Sequence, residues 1–307
     1  MVGLSASSTQ QFYQRNDDPS YGVGVVRGAG GPDVVAEYKG RTGYKSLTPK
    51  RWPVLETKVP GTIVLLVALW LVQLLTGPGA ATADPGLALW TSAIQARDVG
   101  ALSQLLDSGF SQVNVASAKG KTALMVSAQA AQQTLSQALV DNGADVNARN
   151  ENGGTPLMHA AVSGDLDIVA LFLDSGAEVN AQAGNGWTPL ALAAAKGHVQ
   201  VAHHLLKSGA DANLADVFGW TALMHAAEQK RLTVVQLLAA QPGIQIDARS
   251  VNGTTALHRA AAQGFAAIAQ MLIQWGADVK ISDNEGRTAL DYAHEAGHPQ
   301  LLEDLGG

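Results

Sequence analysis

Hydrophobic and polar residues follow a helical period over most of the chain, in pairs of short segments separated by glycines. The stretch from Gly153 to Gln182 is typical, because Leu157, Ala160 and Ala161 fall on one face of a first helix. A second apolar segment follows Gly164, which is placed to end the first helix in the left-handed conformation. Neither helix has another apolar face, so we expect each pair to bury its face against neighbouring pairs.

This pattern recurs at an almost constant interval. A Thr-[Ala/Pro]-Leu tripeptide begins at six positions, with spacings of 33, 33, 33, 34 and 33 residues: Thr122, Thr155, Thr188, Thr221, Thr255 and Thr288. Each threonine hydroxyl can cap a first helix. Self-similarity with this period predicts an array of stacked helix pairs. The one-residue insertion lies within residues 241–247, where we expect the stack to widen locally.

The repeats resemble those of the ankyrin family. The first-helix signature of that family is matched at residues 155–161 and 255–261 and at Thr188-Pro189-Leu190, and its loop signature at residues 143–147, 176–180, 209–213 and 276–279. The resemblance covers the chain from about Leu87 onward and implies an all-α solenoid of helix-turn-helix units with projecting turns. It implies about seven units, including degenerate ends: 87–119, 120–152, 153–185, 186–218, 219–252, 253–285 and 286–307.

Charge is distributed unevenly along the 307 residues. Residues 1–58 carry eight Lys/Arg against five Asp/Glu, whereas residues 59–307 carry 12 against 21. An acidic array argues against nucleic acid as the partner, because phosphate binding needs a basic face. The absence of cysteine excludes disulfides and thiolate metal sites, and it selects no redox compartment.

The chain ahead of the repeats divides into two parts. Residues 1–58 have no sustained apolar period, and we interpret them as a disordered or non-native extension. Residues 59–83 contain the uncharged apolar stretch Ile63 to Leu75, with basic residues before it and the breaker Gly77-Pro78 after it. The small residues Ala81-Thr82-Ala83 follow. This order is typical of a secretory signal sequence cleaved after Ala83, and the apolar stretch is shorter than the ~20 residues that usually span a bilayer.

Two interpretations of residues 59–83 stay open. Cleavage would release residues 84–307 as an exported, periplasmic domain, whereas an uncleaved segment would be a single transmembrane helix anchoring that domain in the inner membrane. A forerunner of 58 residues is abnormal for a leader, so either translation begins near Val54 or Leu55, or residues 1–58 stay inside. Positive charge before the segment places the repeats outside the cytoplasm in both cases. The bacterial setting rests on analogy alone.

Candidate catalytic and metal-binding patterns are weak. His294-Glu295-Ala296-Gly297-His298 matches the zinc-protease pattern H-E-x-x-H, but Gly297 holds a helix-ending position, so we expect the two rings on different elements. No Gly-x-Ser-x-Gly elbow is present, and the glycines follow the repeat period. We therefore predict no enzyme activity, no metal and no cofactor.

Positions that vary between otherwise similar units are the candidate partner-binding residues. The position between the turn glycine and the capping threonine holds Trp187 and Trp220, and Phe218 lies in the same turn as Trp220. The ankyrin resemblance places this position at the projecting turns, beside the concave face that binds partners. Exposed aromatic clusters are enriched among binding hot spots, and the alternative is that the indoles only pack on neighbouring turns.

The resemblance implies a second group that lines the concave groove, namely His159, His225 and Arg259, with Arg149 on a charged rim. We predict that the array binds a protein partner through its turns and concave helices and touches a membrane only through residues 59–83. The alternatives are an inhibitor or immunity-type protein of an envelope enzyme and a membrane-tethered scaffold. The sequence selects no oligomeric state.

Overall fold

The structure, a computed structural model, describes residues 11–12, 24–25, 84–298 and 301. Residues 84–298 form a succession of short α-helices joined by turns and loops. The helices are α1 Pro85–Ala96, α2 Val99–Asp107, α3 Ala123–Gln129, α4 Gln133–Asp141, α5 Pro156–Ser163, α6 Leu166–Asp174, α7 Pro189–Lys196, α8 Val199–Lys207, α9 Ala222–Glu228, α10 Leu232–Ala239, α11 Ala256–Ala262, α12 Ala266–Gln274 and α13 Ala289–Glu295.

Two short strands are described near the N-terminus. Strand β1, Gln11–Phe12, pairs antiparallel with β2, Gly24–Val25, in the register Gln11 to Val25 and Phe12 to Gly24. The rest of the predicted extension over residues 1–58 and the whole predicted leader or transmembrane segment over residues 59–83 lie outside the described residues. Among the described helices, none is long and apolar enough to cross a bilayer.

The helices form two layers. The first helices of consecutive units pack on one another in the order α3, α5, α7, α9, α11 and α13, and the second helices do so in the order α4, α6, α8, α10 and α12. Each first helix also packs on the second helix of its own unit from α3 to α12. The prediction of an all-α array of stacked helix pairs is therefore confirmed for this part of the chain.

The third unit begins and ends its first helix as the sequence predicts. In the third unit the Thr155 hydroxyl accepts a hydrogen bond from the backbone N–H of Met158 at 3.3 Å, and Pro156 occupies the first helical position. Gly164 ends α5 in the left-handed conformation, with φ of 80°. Leu157 is fully buried between the layers, which is worth about 1.5–3 kcal/mol relative to exposure.

The helix-ending glycines also make room for the next unit. A Cβ on Gly164 would lie 2.5 Å from the imidazole of His198, whose Nε2 donates to the carbonyl of Val162 at 3.0 Å. Arg231 repeats this arrangement one unit later, because its Nε donates to the carbonyl of Ala195 at 3.0 Å. Gly164 thus allows the left-handed end of α5 and also leaves space for the His198 side chain of the next unit.

A ladder of asparagines joins the loops that follow the second helices. Each side-chain amide donates to a glycine carbonyl of the next unit, and each side-chain oxygen accepts a backbone N–H two residues beyond that glycine. This pair of bonds recurs at 2.7–3.1 Å at four consecutive seams, through Asn114, Asn147, Asn180 and Asn213. Every rung satisfies one donor and one acceptor that would otherwise face solvent.

Replacing Ala131 by glycine should raise the free energy of unfolding by about 1 kcal/mol, since Ala131 holds a φ of 52° that glycine adopts without strain. Gly164→Ala is the opposite change and should cost about 2–4 kcal/mol, because it adds both left-handed strain and a clash with His198. Urea denaturation followed by circular dichroism measures both. An unchanged midpoint for Ala131→Gly would show that no strain resides there.

Candidate functional site

The turns that lead into the first helices form a hydrogen-bonded ribbon along the array. In each turn a backbone N–H donates to the carbonyl four residues later, for example Ala183 to Trp187 at 3.0 Å and Asp216 to Trp220 at 2.9 Å. The tips of successive turns are also bonded to one another. The N–H of Val217 donates to Asn185 at 3.1 Å, and the N–H of Val251 donates to Phe218 at 2.9 Å. Residues on neighbouring tips are therefore held in a fixed spacing.

Two neighbouring tips expose large apolar side chains. Val217, Phe218 and Val251 are 56%, 55% and 66% exposed. The corresponding tips of the other units carry small or polar residues: Ala118-Lys119, Glu151-Asn152, Gly184-Asn185 and Asn284-Glu285. We call Trp187, Val217, Phe218, Trp220 and Val251 the turn strip.

The two tryptophans of the turn strip stand on either side of a histidine. The ring of His225 lies 4.0 Å from that of Trp187 and 5.2 Å from that of Trp220, measured between centroids. The guanidinium of Arg259 lies 4.4 Å from the centre of the Trp220 ring, within the range of a cation–π contact. Both indoles are half-buried by these contacts, so they serve packing and still present part of their surface.

Asp216 holds this aromatic group in position. Its Oδ1 accepts the backbone N–H groups of Phe218 and Trp220, both at 2.9 Å. Its Oδ2 accepts a hydrogen bond from Nε2 of His225 at 3.1 Å. One carboxylate therefore fixes the turn that bears Phe218 and Trp220 and also the imidazole between the two indoles.

The three residues predicted to line the groove differ in how far they are buried. His159 has no exposed surface and His225 is only 7% exposed, whereas the expectation was that both would line an open groove. The equivalent Val126 and Leu192 are buried as well, so this helical position faces the contact between neighbouring first helices. Arg259 is half-buried, because its longer side chain reaches the rim.

Arg149 is exposed and joins two units. Its Nη1 donates to the carbonyl of Gln182 at 2.9 Å, and its Nη2 forms an ion pair with Oε2 of Glu178 at 3.1 Å. Both partners belong to the following unit. The contacts of Arg149 therefore stabilise the stack, while its predicted role at the rim stays a prediction.

Sequence reasoning missed Val217, Val251 and Asp216. The signal for the valines is present in the sequence, because only these turns place large apolar residues where the other turns have small or polar ones. The signal for Asp216 is weaker, since aspartate is common in turns for local reasons alone. Its link to His225, nine residues later, depends on how the turn folds back over the first helix.

A second polar cluster lies at the turn before α13. Oδ2 of Asp283 accepts bonds from Nη2 of Arg287 at 2.9 Å and from the hydroxyl of Tyr292 at 2.8 Å, while Oδ1 accepts the N–H groups of Glu285 and Arg287. Burial alone would raise the pKa of Asp283, but these hydrogen bonds outweigh it and lower the pKa to about 2. Burial and the neighbouring carboxylate raise the pKa of Tyr292 to about 12.

The histidine pair of the H-E-x-x-H match lies on different elements, as the sequence predicts. His294 is on α13, which ends at Glu295, and His298 follows Gly297, whose φ is 74°. The ring of His298 instead lies beside Gly264. Among the described residues, no three His, Asp or Glu side chains are grouped as metal ligands would be.

The paired helical layers, the bonded turns and the apolar turn tips define a class: a helical repeat array with a projecting ribbon. The profile of the family described as ankyrin repeats, in three copies, matches residues 89–183, 180–250 and 244–305. The chain therefore belongs to the ankyrin repeat family, whose repeats are protein–protein interaction modules on a non-catalytic scaffold.

Comparison with solved structures gives a similar result. The ankyrin repeat domain of human ASB11, a crystal structure, is similar to this chain with 27% sequence identity and a TM-score of 0.60. The match covers 71% of this chain and 97% of that one. A comparison with curated proteins finds no match.

Asp283→Asn should lower the free energy of unfolding at neutral pH by about 1–2 kcal/mol, because the amide loses the charge that Arg287 binds. Since the folded-state pKa is depressed, the contribution of Asp283 is complete above about pH 4 and is lost as the pH falls through about 2. Urea denaturation of both proteins at several pH values measures the difference. A difference that stays constant across that window would contradict the assignment.

Proposed function

We propose that this ankyrin repeat protein binds a protein partner through the turn strip, with Val217, Phe218 and Val251 as apolar anchors and the two tryptophans behind them. The observation that carries the proposal is the exposure of three large apolar side chains on two bonded, neighbouring turns. Clustered apolar surface on a rigid support is typical of interaction sites, whereas single exposed hydrophobic residues are ordinary. Leu232 and Trp275, which are also exposed, are separate from this group in the sequence.

The distribution of charge supports an apolar mode of recognition. The turn segments 116–122, 149–155, 182–188, 215–221, 249–255 and 282–288 carry five Lys/Arg against four Asp/Glu. The second helices with their following loops, from residue 99 to residue 281, carry two Lys/Arg against nine Asp/Glu. The net negative charge of the array thus lies away from the turns. Binding through the turn strip should therefore depend little on salt.

The rigidity of the strip supports affinity as well. The turn backbone is fixed by bonds within each turn and between tips, and Asp216 fixes the side of the turn that faces His225. A surface that is already ordered loses little conformational entropy on binding. The anchors therefore need no rearrangement to meet a complementary apolar surface.

Replacing Phe218 and Val251 together by alanine should weaken partner binding by about 10-fold to 100-fold, because two hot-spot side chains lose their contact area. Both are exposed in the free protein, so the melting temperature and the circular dichroism spectrum should change little. The partner is first captured and identified with the unaltered protein, and its Kd is then measured by calorimetry.

Trp275→Ala is the matched control, since Trp275 is 48% exposed but lies in the loop after α12. This variant should bind as the unaltered protein does, at low and at high salt. Equal Kd values for the control and for the Phe218/Val251 double variant would overturn the assignment of the turn strip. A strong loss of affinity with salt would point to charged residues instead.

We further propose that the repeats act outside the cytoplasm, in a bacterial envelope. The support is the order of basic flank, apolar stretch, breaker and small residues within residues 59–83, all of which lie outside the described residues. Under this proposal the partner is an envelope protein. An inhibitor or immunity-type role would require that partner to be an enzyme, and a tethered scaffold would require residues 59–83 to be retained.

Fractionation and N-terminal sequencing of the protein from its native source test this location. A mature N-terminus at Asp84 in the envelope fraction is expected for a cleaved leader, and an uncleaved protein in the membrane fraction is expected for the tether. Uncleaved protein found only in the cytosolic fraction would exclude export in either form.

A further inference from the structure

The asparagine ladder changes at the joint between units 5 and 6. The fifth position of the ladder holds Asp247, whose two carboxyl oxygens accept the N–H of Asp278 at 3.1 and 3.2 Å. A carboxylate has no donor, so the bond that each asparagine gives to the following glycine carbonyl is missing here. The loop before Asp247 also contains the one-residue insertion. Helix α10 is one residue shorter than α8 and α12.

A second carboxylate is poorly satisfied at the same joint. One oxygen of Glu228 on α9 accepts a bond from Nε2 of Gln263 at 3.1 Å, while its Oε2 is buried and has no hydrogen-bond partner among the described residues. Nε of Arg259, on the facing helix α11, is likewise buried without an acceptor in that part of the chain. A buried polar atom without a partner destabilises the folded state, because its desolvation is not compensated. The joint between units 5 and 6 therefore combines the missing ladder bond with two buried polar atoms that have no hydrogen-bond partner among the described residues.

The pKa values of Glu228 and Asp247 are both raised, which favours the protonated form of each carboxyl. Burial raises the pKa of Glu228, although Arg259, Gln263 and His225 act in the opposite direction. Burial and the charge of Asp278 raise the pKa of Asp247 against the hydrogen bond from the Asp278 backbone. A protonated carboxyl is neutral, so burial no longer disfavours it, and at Asp247 the added O–H supplies the donor that the carboxylate lacks.

The other charged groups of the neighbouring elements form no ion pair with Glu228 or Asp247 among the described residues. The elements packed on α9 carry Lys196 at the end of α7 and His258 and Arg259 on α11, and Lys230 and Arg231 follow α9. Burial lowers the pKa of His258, which is the opposite direction to the two carboxyls. The loops beside Asp247 carry Asp211, Arg249, Asp278 and Lys280, and none of these forms an ion pair with Asp247 in the described structure.

We propose that the joint between units 5 and 6 is weaker than the joints before it, so that units 6 and 7 open together there, and that proton uptake by Glu228 and Asp247 closes it. This goes beyond partner binding, because it is a property of the free protein. Because the folded-state pKa of each carboxyl is raised, its protonation stabilises the folded joint. That stabilisation is complete below the ordinary carboxyl pKa and is lost as the pH rises through the raised pKa.

The same joint crosses the turn strip. Trp220 of unit 5 contacts Arg259 of unit 6, and the bond from Val251 to Phe218 connects the turns that lead into these units. Opening the joint would therefore remove the contact of Arg259 with Trp220. The proton-dependent joint provides a way for the surrounding pH to alter the geometry of the binding surface.

Hydrogen exchange measured by mass spectrometry on the full chain tests the proposal. At about pH 7.5, amides of α11 and α12 should show lower protection factors than those of α5 to α8, and at about pH 4.5 the difference should shrink. Asp247→Asn restores the missing donor and should raise protection in α11 and α12 about fivefold at the higher pH, the equivalent of one hydrogen bond. Combined with Glu228→Gln, it should remove the gain in protection at the lower pH and leave only the opposite effect of His258, whose lowered pKa makes its contribution fall as the pH drops.

Asn180→Asp is the matched control, because it places the same carboxylate in the rung between units 3 and 4. It should lower the protection of the units on one side of that rung at the higher pH and less so at the lower pH. Equal protection of α11 and α5 in the unaltered protein would overturn the proposal. It would also fail if Asp247→Asn left exchange unchanged, or if the double variant still gained protection at the lower pH.

Discussion

A single unit of this chain cannot bury its own apolar surface, and this constraint governs the rest of the structure. The first helix is too short to be stable alone and presents small residues, such as Ala160 and Ala161, that are fully buried against neighbouring units. Alanine permits close approach of helices but contributes little area by itself. Stability therefore comes from the number of contacts between units, and any feature that alters one joint affects the units beyond it.

Polar side chains provide the hydrogen bonds that order the turns and join the loops of neighbouring units. Asparagines such as Asn147 and Asn180 join the loops, while Asp216 and Asp283 order the turns. In both sets a side chain replaces a backbone partner that the short elements cannot provide, which is how short helices are accommodated without orphaned amides. The two turn aspartates also reach beyond the turn, to His225 and Tyr292, so turn chemistry also positions first-helix side chains.

The fold was predictable from the sequence because its determinants are local and repeated. The Thr155 cap, the left-handed Gly164 and the stacked apolar faces each follow from a residue type at a fixed position. The placement of individual site residues was less predictable. His159 and His225 are buried because their register faces the adjacent first helix, and that depends on the spacing between units. The apolar tips Val217 and Val251 were visible as exceptions to the polar pattern, but their exposure requires the turn geometry.

The binding surface and the least satisfied joint occupy the same units, and a physical argument connects them. A side chain that contacts a partner cannot be fully buried within the stack. Phe218 and the exposed part of Trp220 therefore contribute less to packing between units than a buried residue would. Arg259 lies against the ring of Trp220 and leaves its Nε without an acceptor, so a buried hydrogen bond is forgone at the position that supports the tryptophan. Surfaces selected for recognition commonly carry such local costs. In a repeat array such a cost falls on a single joint, because each unit contacts only its neighbours, and the units beyond that joint open with it.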